Sequence, residues 1–176
     1  VLTRGFGESV LVDIDLEPWG AMNHILKRGF DLLFALAGLV LLSPVIGGIA
    51  FVIWAADDGP ILYSQQRTAS FGGTLEVYKF RTMIENAETD GPRLSEQDAG
   101  GLDLRVTRTG RLLRQTHLDE IPQLWAIFTG SMSVVGPRPE RPELDGRMEE
   151  DAVEWRSRWF VKPGLTGLAQ IRGATG

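Results

Sequence analysis

Two carboxylates stand side by side in "HLDEIPQLW". They are Asp119 and Glu120, just ahead of Pro122 and among the apolar residues Ile121, Leu124, Trp125, Ile127 and Phe128. Like charges repel, so the pair needs a reason. One acid at a helix start is accounted for by the helix dipole and by capping of free N–H groups. Two are accounted for less well. A chemical pair divides the work: one carboxylate attacks phosphorus and becomes an acyl phosphate, and the other holds Mg2+ or takes a proton. A metal ion would relieve the repulsion, and neighbouring cations would neutralise the phosphate oxygens. The chain offers Lys79 and Arg81 in "YKFRTM", Arg114 shortly before the pair, and Arg138 in "GPRP", with Pro139 beside it.

Composition narrows the field. The 176 residues are enough for a domain with a core of its own, and the net charge of −5 argues against bulk nucleic-acid binding. With no cysteine, there are no disulfides, thiolate nucleophiles or cysteine-ligated metals. Two histidines, His24 and His117, leave no histidine-rich metal site. Among 18 basic residues only Lys27, Lys79 and Lys162 are lysine. That arginine preference suits bidentate recognition of phosphate or carboxylate, or reflects codon usage.

The elements that must position these residues begin with an uncharged run, "LLFALAGLVLLSPVIGGIAFVIWAA", from Leu32 to Ala56. It exceeds the ~20 apolar residues that span a bilayer, and a soluble core helix is seldom apolar on every face. Ser43-Pro44 interrupts it at the midpoint, where proline costs a backbone hydrogen bond and Ser43 can bond the freed carbonyl. Halves of about twelve residues, or ~18 Å, are too short to cross ~30 Å of hydrocarbon singly. A kinked crossing helix and a helix pair that dips in and returns both fit this pattern. Lys27 and Arg28, ahead of the run, mark a cytoplasmic side.

Beyond the run, "ILYSQQR", "ASFGG" and "TLEVYKF" read as a β-hairpin around a glycine turn. A short helix is expected over Met83–Thr89, followed by a polar loop. Arg105, Arg108, Arg111 and Arg114 recur every third residue, a basic stripe facing either solvent or lipid headgroups and phosphate. The dyad then opens a helix that stops at Gly130. "SMSVVGPRPERPE" reads as an extended loop, "EEDAVEWRSRWF" as an amphipathic helix at a membrane interface or on the core, and "VKPGLTGLAQIRG" as a glycine-rich loop.

Four blocks resemble, in order, the bacterial sugar transferase family, the monotopic phosphoglycosyl transferases: "LKRGFDLLFALAGLVLLSP", "VYKFRTM", "RVTRTGRLLRQTHLDEIPQLWAIFTGSMSVVGPRP" and "VKPGLTGLAQIRG". The resemblance implies transfer of sugar-1-phosphate from a UDP-sugar to polyprenyl phosphate with release of UMP, the step that initiates polysaccharide and glycoconjugate assembly. UDP-glucose or UDP-galactose is favoured. It implies Asp119 as the nucleophile of a phosphosugar-enzyme intermediate, and Glu120 as its partner, tied to Mg2+ and to activation of the incoming polyprenyl phosphate. Lys79 falls on an active-site position, Arg138 on the phosphate-binding one, and Gln170 on a site-lining one. Ser43-Pro44 becomes the break of a re-entrant membrane hairpin, which keeps the site on the cytoplasmic face of the bacterial inner membrane, where nucleotide sugars are made.

The expected fold is therefore α+β: mostly helical with a small β-hairpin, a re-entrant helix-break-helix and interfacial amphipathic helices. Residues 1–20 read as a linker or extension, 21–57 as the membrane hairpin and 58–176 as the catalytic domain. Family chains run on past the "AQ" loop, so a C-terminal truncation is expected. His117 takes a cap-like role beside the dyad. A homodimer is left open. Two other activities use the same residues: a metal-dependent phosphohydrolase, and a non-catalytic membrane adaptor whose acids only cap a helix.

Overall fold

The computed structural model describes residues 20–56, 59–84, 87, 103, 105–151 and 155–172. The apolar run forms two helices, α1 (Ala21–Leu41) and α2 (Ser43–Ala56), bent by 57° at Leu42. Pro44 has no N–H for the carbonyl of Val40, and the hydroxyl of Ser43 donates to that oxygen at 2.7 Å, as the Ser-Pro pair predicts. The halves are unequal. α1 begins well before the apolar run, so only its second part is purely apolar. Among the described residues no single helix is long and apolar enough to cross a membrane. The bent pair exposes large apolar side chains, including Leu33, Leu36, Leu41, Phe51 and Trp54.

The pair is joined to the rest of the chain. Ala35 and Ile53 are buried in the same core as Leu124 and Ile127 of α4 (Gln123–Thr129). Gly38 lets the helices approach: a Cβ there would lie 2.9 Å from Leu124 Cδ1. Lys27 and Arg28, expected to mark the cytoplasmic side, also make contacts with the rest of the chain. Arg28 donates from both guanidinium nitrogens to the carbonyls of Ile127 and Phe128, each at 2.7 Å. A cation there satisfies the last turn of α4 and its dipole. Lys27 donates to Asp31 Oδ1 and to Ser133 Oγ, both at 2.5 Å. The buried Asp31 also accepts from Ser133 Oγ and from the backbone N–H of Val134, each at 3.0 Å.

The predicted hairpin is present as β1 (Leu62–Thr68) and β2 (Thr74–Phe80), antiparallel, with Tyr63 opposite Lys79 and Arg67 opposite Leu75. The "ASFGG" connection holds a 3-10 turn in which Phe71 takes φ 57° and Gly72 takes φ 73°. Leu75 and Val77 of β2 point inward with Lys79, because side chains alternate along a strand. Past β2 the chain stays extended. Met83, expected in a short helix, bridges antiparallel to Val106, and the N–H of Ile84 donates to the carbonyl of Arg105. The rest of that expected helix lies largely outside the described residues, as do residues 1–19.

Helix α3 (Arg108–Thr116) starts at Thr107, whose Oγ1 accepts from the N–H of Gly110 at 2.9 Å. Arg105 therefore precedes the helix and is clamped by Asp103, so the basic stripe is shorter than its three-residue spacing suggests. Gly110 lies against the backbone of Thr82, where a Cβ would meet the carbonyl oxygen at 2.0 Å. α3 ends at His117 in the left-handed region, φ 56°, and the dyad follows in a separate 3-10 turn, Leu118–Glu120. The dyad thus does not open the long helix. α4 begins two residues after the turn and stops at Gly130, φ 93°, as predicted. Trp125, placed in the apolar run, is 55% exposed and stacks on Phe128.

Two segments read as loops form a second small sheet: β3 (Ser133–Val135) pairs in parallel with β4 (Gly164–Thr166). The glycines explain the pairing. A Cβ at Gly136 would lie 2.3 Å from the carbonyl oxygen of Lys162, and one at Gly164 2.1 Å from the nitrogen of Gly136. The two glycine motifs therefore interlock. α5 (Pro142–Asp151) and a 3-10 segment, Trp155–Phe160, take the place of the single amphipathic helix expected there, and α6 (Leu168–Ile171) follows β4. The described residues are mostly helical, with two two-stranded sheets among them.

Candidate active site

The inner end of the hairpin, the 3-10 turn and the segment after β3 enclose a cavity of about 760 Å³. Asp119 and Glu120 line it together with Lys79, Arg81, Arg114 and Arg138. The two carboxylates have opposite environments. Asp119 is 7% exposed, and burial pushes its carboxyl above the ordinary range; Lys79 opposes this and the charge of Glu120 adds to it. Glu120 meets the same burial penalty but ends below the ordinary range, because Lys79 and Arg138 outweigh it. Lys79 Nζ and Arg138 Nη2 both donate to Glu120 Oε1, at 2.6 and 3.0 Å.

Each of these residues is fixed by its element or by a neighbouring segment. Lys79 lies near the end of β2, where strand alternation turns it toward the dyad. Arg114 Nε donates to Thr82 Oγ1 at 2.9 Å, tying α3 to the chain after β2. Arg81 is buried at the cavity wall, and its N–H donates to the carbonyl of Ile61. The Arg138 loop is pinned at three carbonyls. Arg158 donates to that of Arg138, Arg67 Nη1 to that of Pro139 at 3.3 Å, and the N–H of Thr68 to that of Glu140 at 2.9 Å. The indole of Trp155 supports the arrangement by donating to Asp145 and lying under Arg158.

Two residues singled out in the sequence stand elsewhere. Pro139 lies outside the cavity and contributes its carbonyl to the pinning. Gln170, on α6, does not line the cavity; its amide atoms are buried beside Gly167. His117 caps α3 through its backbone and is among the residues that line the cavity. The structure adds Tyr63, Gln65, Arg67 and Arg141 to the lining. The first three were detectable in principle, since they alternate along β1 on the face that pairs with Lys79.

A buried carboxylate raised by its surroundings beside one lowered by its partners, with guanidinium and ammonium groups around them, is an arrangement whose charge suits phosphate oxygens. The chain belongs to the bacterial sugar transferase family, which matches residues 22–176. It is 38% identical over 161 residues to the UDP-glucose:undecaprenyl-phosphate glucose-1-phosphate transferase of Escherichia coli (strain K12), covering 90% of this chain and 33% of that protein. It is 34% identical over 146 residues to the UDP-N-acetylgalactosamine-undecaprenyl-phosphate N-acetylgalactosaminephosphotransferase of Aeromonas hydrophila, covering 83% of this chain and 34% of that protein. Identity to the exopolysaccharide production protein PSS of Rhizobium leguminosarum bv. phaseoli is 38% over 159 residues, 88% of this chain and 78% of that protein. The chain thus spans about a third of the length of the first two relatives.

Proposed function

We propose that this chain carries the catalytic unit of a phosphoglycosyl transferase, which moves sugar-1-phosphate from a UDP-sugar to polyprenyl phosphate and releases UMP. The observation that carries the proposal is the asymmetric dyad. Asp119, buried and given no direct cation partner among the described residues, is left to attack, whereas Glu120 is committed to Lys79 and Arg138. In the first half-reaction an oxygen of ionised Asp119 bonds to the sugar-bearing phosphorus. The bond from that phosphorus to the bridging oxygen breaks, and the electron pair leaves on UMP. In the second, an oxygen of polyprenyl phosphate bonds to the same phosphorus and Asp119 leaves as carboxylate. Both substrates are phosphates and use one carboxylate in turn, so one cavity serves both.

Glu120 is a poor general base, because its carboxyl is held low. It suits a fixed negative charge instead. Among the described residues no group of three acids or histidines that could hold a metal exists. Glu120 still fits Mg2+, which binds through one or two carboxylates and fills its shell with water and substrate phosphate. When bound, Mg2+ would neutralise phosphate charge. Lys79, Arg81, Arg114 and Arg138 do so from the protein side.

The bent α1–α2 pair, with its exposed apolar faces and satisfied Ser-Pro break, supports a re-entrant hairpin in the cytoplasmic leaflet of the bacterial inner membrane. This keeps the dyad on the cytosolic side, near the headgroup level where the phosphate of a polyprenyl carrier sits. Intact mass spectrometry after mixing with UDP-glucose, UDP-galactose or UDP-N-acetylgalactosamine tests the reading. A sugar-phosphate adduct that Asp119→Asn abolishes is expected, and its mass distinguishes hexose from N-acetylhexosamine. UMP release that turns over without lipid acceptor points to a hydrolase. Unchanged transfer in Asp119→Asn and Glu120→Gln overturns the role of the dyad, and a wild type with no adduct, UMP release or transfer points to an adaptor.

A further inference from the structure

Gln65 lines the cavity and takes no part in the chemistry described so far. It lies opposite Val77 in the hairpin, so Gln65 and Arg67 of β1 share one face with Val77 and Lys79 of β2. Lys79 is the diagonal neighbour of Gln65 across the strands, ~7–8 Å away between Cα atoms. Lys79 Nζ in turn reaches Glu120 Oε1 at 2.6 Å. Gln65 therefore stands one strand step from the residue that grips the dyad.

The amide of Gln65 is oriented by its neighbour. Arg67 Nη2 donates to Gln65 Oε1 at 2.6 Å. A guanidinium has donors only, so the amide oxygen faces it and the NH2 group is turned away. Arg67 is itself fixed: Nη1 donates to the carbonyl of Pro139 at 3.3 Å and lies 3.9 Å from Glu140 Oε2. Among the described residues no acceptor answers the Gln65 NH2 group. A half-buried neutral donor, preset in direction, thus stands on a residue of the cavity wall. A donor held this way loses little freedom when a ligand oxygen arrives.

Phosphate oxygens are served by cations, because charge-assisted hydrogen bonds are roughly twice as strong as neutral ones. A neutral amide adds little beside Lys79 and suits a neutral oxygen instead. On the transferase reading given above, the neutral group bonded directly to the transferred phosphate is the sugar. The nucleoside lies one phosphate further out. Gln65, one step from the dyad, is placed for the nearer group. We propose that Gln65 binds the sugar of the donor, its Nε2 donating to a hydroxyl or to an acetamido carbonyl. The contact rests on the transferase reading, and it outlasts the nucleotide, since the sugar stays on Asp119 when UMP leaves.

The test compares ligands with and without the sugar. Gln65→Met keeps the length of the side chain and removes the donor; the smaller Gln65→Ala serves if Gln65→Met does not fold. Each is made in Asp119→Asn, which cannot form the adduct, with the full chain in lipid nanodiscs. UMP, UDP-galactose and UDP-N-acetylgalactosamine are titrated by calorimetry. UDP-sugar binding weakens about three- to tenfold, and UMP binding changes less than about twofold. A loss shared by both UDP-sugars places the acceptor among the hydroxyls. A loss confined to UDP-N-acetylgalactosamine places it on the acetamido carbonyl, since the two sugars differ only there. An equal loss of UMP and UDP-sugar assigns Gln65 to the nucleotide or to bracing Arg67 and overturns the sugar contact, as does unchanged UDP-sugar binding. The transferase reading fails separately: a wild type that forms no adduct on Asp119, while Gln65→Met still weakens UDP-sugar alone, keeps the contact and loses the reaction.

Discussion

Adjacent carboxylates of opposite environment should respond to neutralisation with opposite signs. Glu120 is the common acceptor of Lys79 and Arg138, and side-chain exposures of 14%, 22% and 31% place this cluster between surface and interior. Removing one partner of a fully buried pair costs ~3–5 kcal/mol and an exposed pair is worth ~0–1 kcal/mol, so Glu120→Gln should cost about 2 kcal/mol. For a chain of this length that is a melting temperature lower by roughly 4–8 °C. Asp119 shows the reverse. Its ionised form is disfavoured by burial, so Asp119→Asn should gain on the order of 1 kcal/mol at neutral pH. The pH dependence follows from the directions of the two shifts. The Glu120 carboxyl is lowered, so its contribution is complete above its unfolded pKa and is lost as pH falls through the folded one. The Asp119 carboxyl is raised, so its penalty is absent at low pH and complete above the folded pKa. Both differences should vanish in acid. Thermal melting of wild type and both variants in lipid nanodiscs, from pH 3 to 8, reads them. Shifts of the same sign at neutral pH would refute this account of the dyad.

Three further outcomes follow from the same geometry. The rate of adduct formation should show an acid limb above the ordinary aspartate range, and Lys79→Met should move it to higher pH, because Lys79 lowers the Asp119 carboxyl; a downward move contradicts the assignment. Arg28→Ala should cost about 2–4 kcal/mol through two lost charge-assisted bonds to the end of α4, read as a lower denaturation midpoint. Gly136→Ala should destabilise by about 3 kcal/mol or more by forcing β3 from β4, and transfer should fall with it, since Arg138 lies just beyond.

Local signals in the chain pointed to much of this arrangement. The Ser-Pro pair announced the bend and its hydroxyl repair, alternation announced the hairpin and Gly130 the end of α4, because each rests on residues near in sequence. Local signals were silent where distant segments decide. Lys27 and Arg28 follow the positive-inside pattern, but nothing near them in sequence shows that partners about a hundred residues away accept from them. "VVGPRP" and "KPGLTG" look like loops until they meet, since the clash that requires their glycines exists only between them. Arg67 and Arg141 belong to no apparent motif of two acids. They reach the cavity through the register of β1 and the start of α5, and only the first was inferable from alternation.

The Asp31 contact sets an order on synthesis. Its partner N–H, on Val134, emerges from the ribosome 103 residues later. On the re-entrant reading proposed above, the hydrophobic hairpin would meet lipid while the segment that will bind this carboxylate is still untranslated. Lys27, one helical turn away, is the only one of its partners already made, and it can neutralise Asp31 during the wait. On that proposal insertion would come first, and the remainder of the chain would then assemble onto the helix pair already in place.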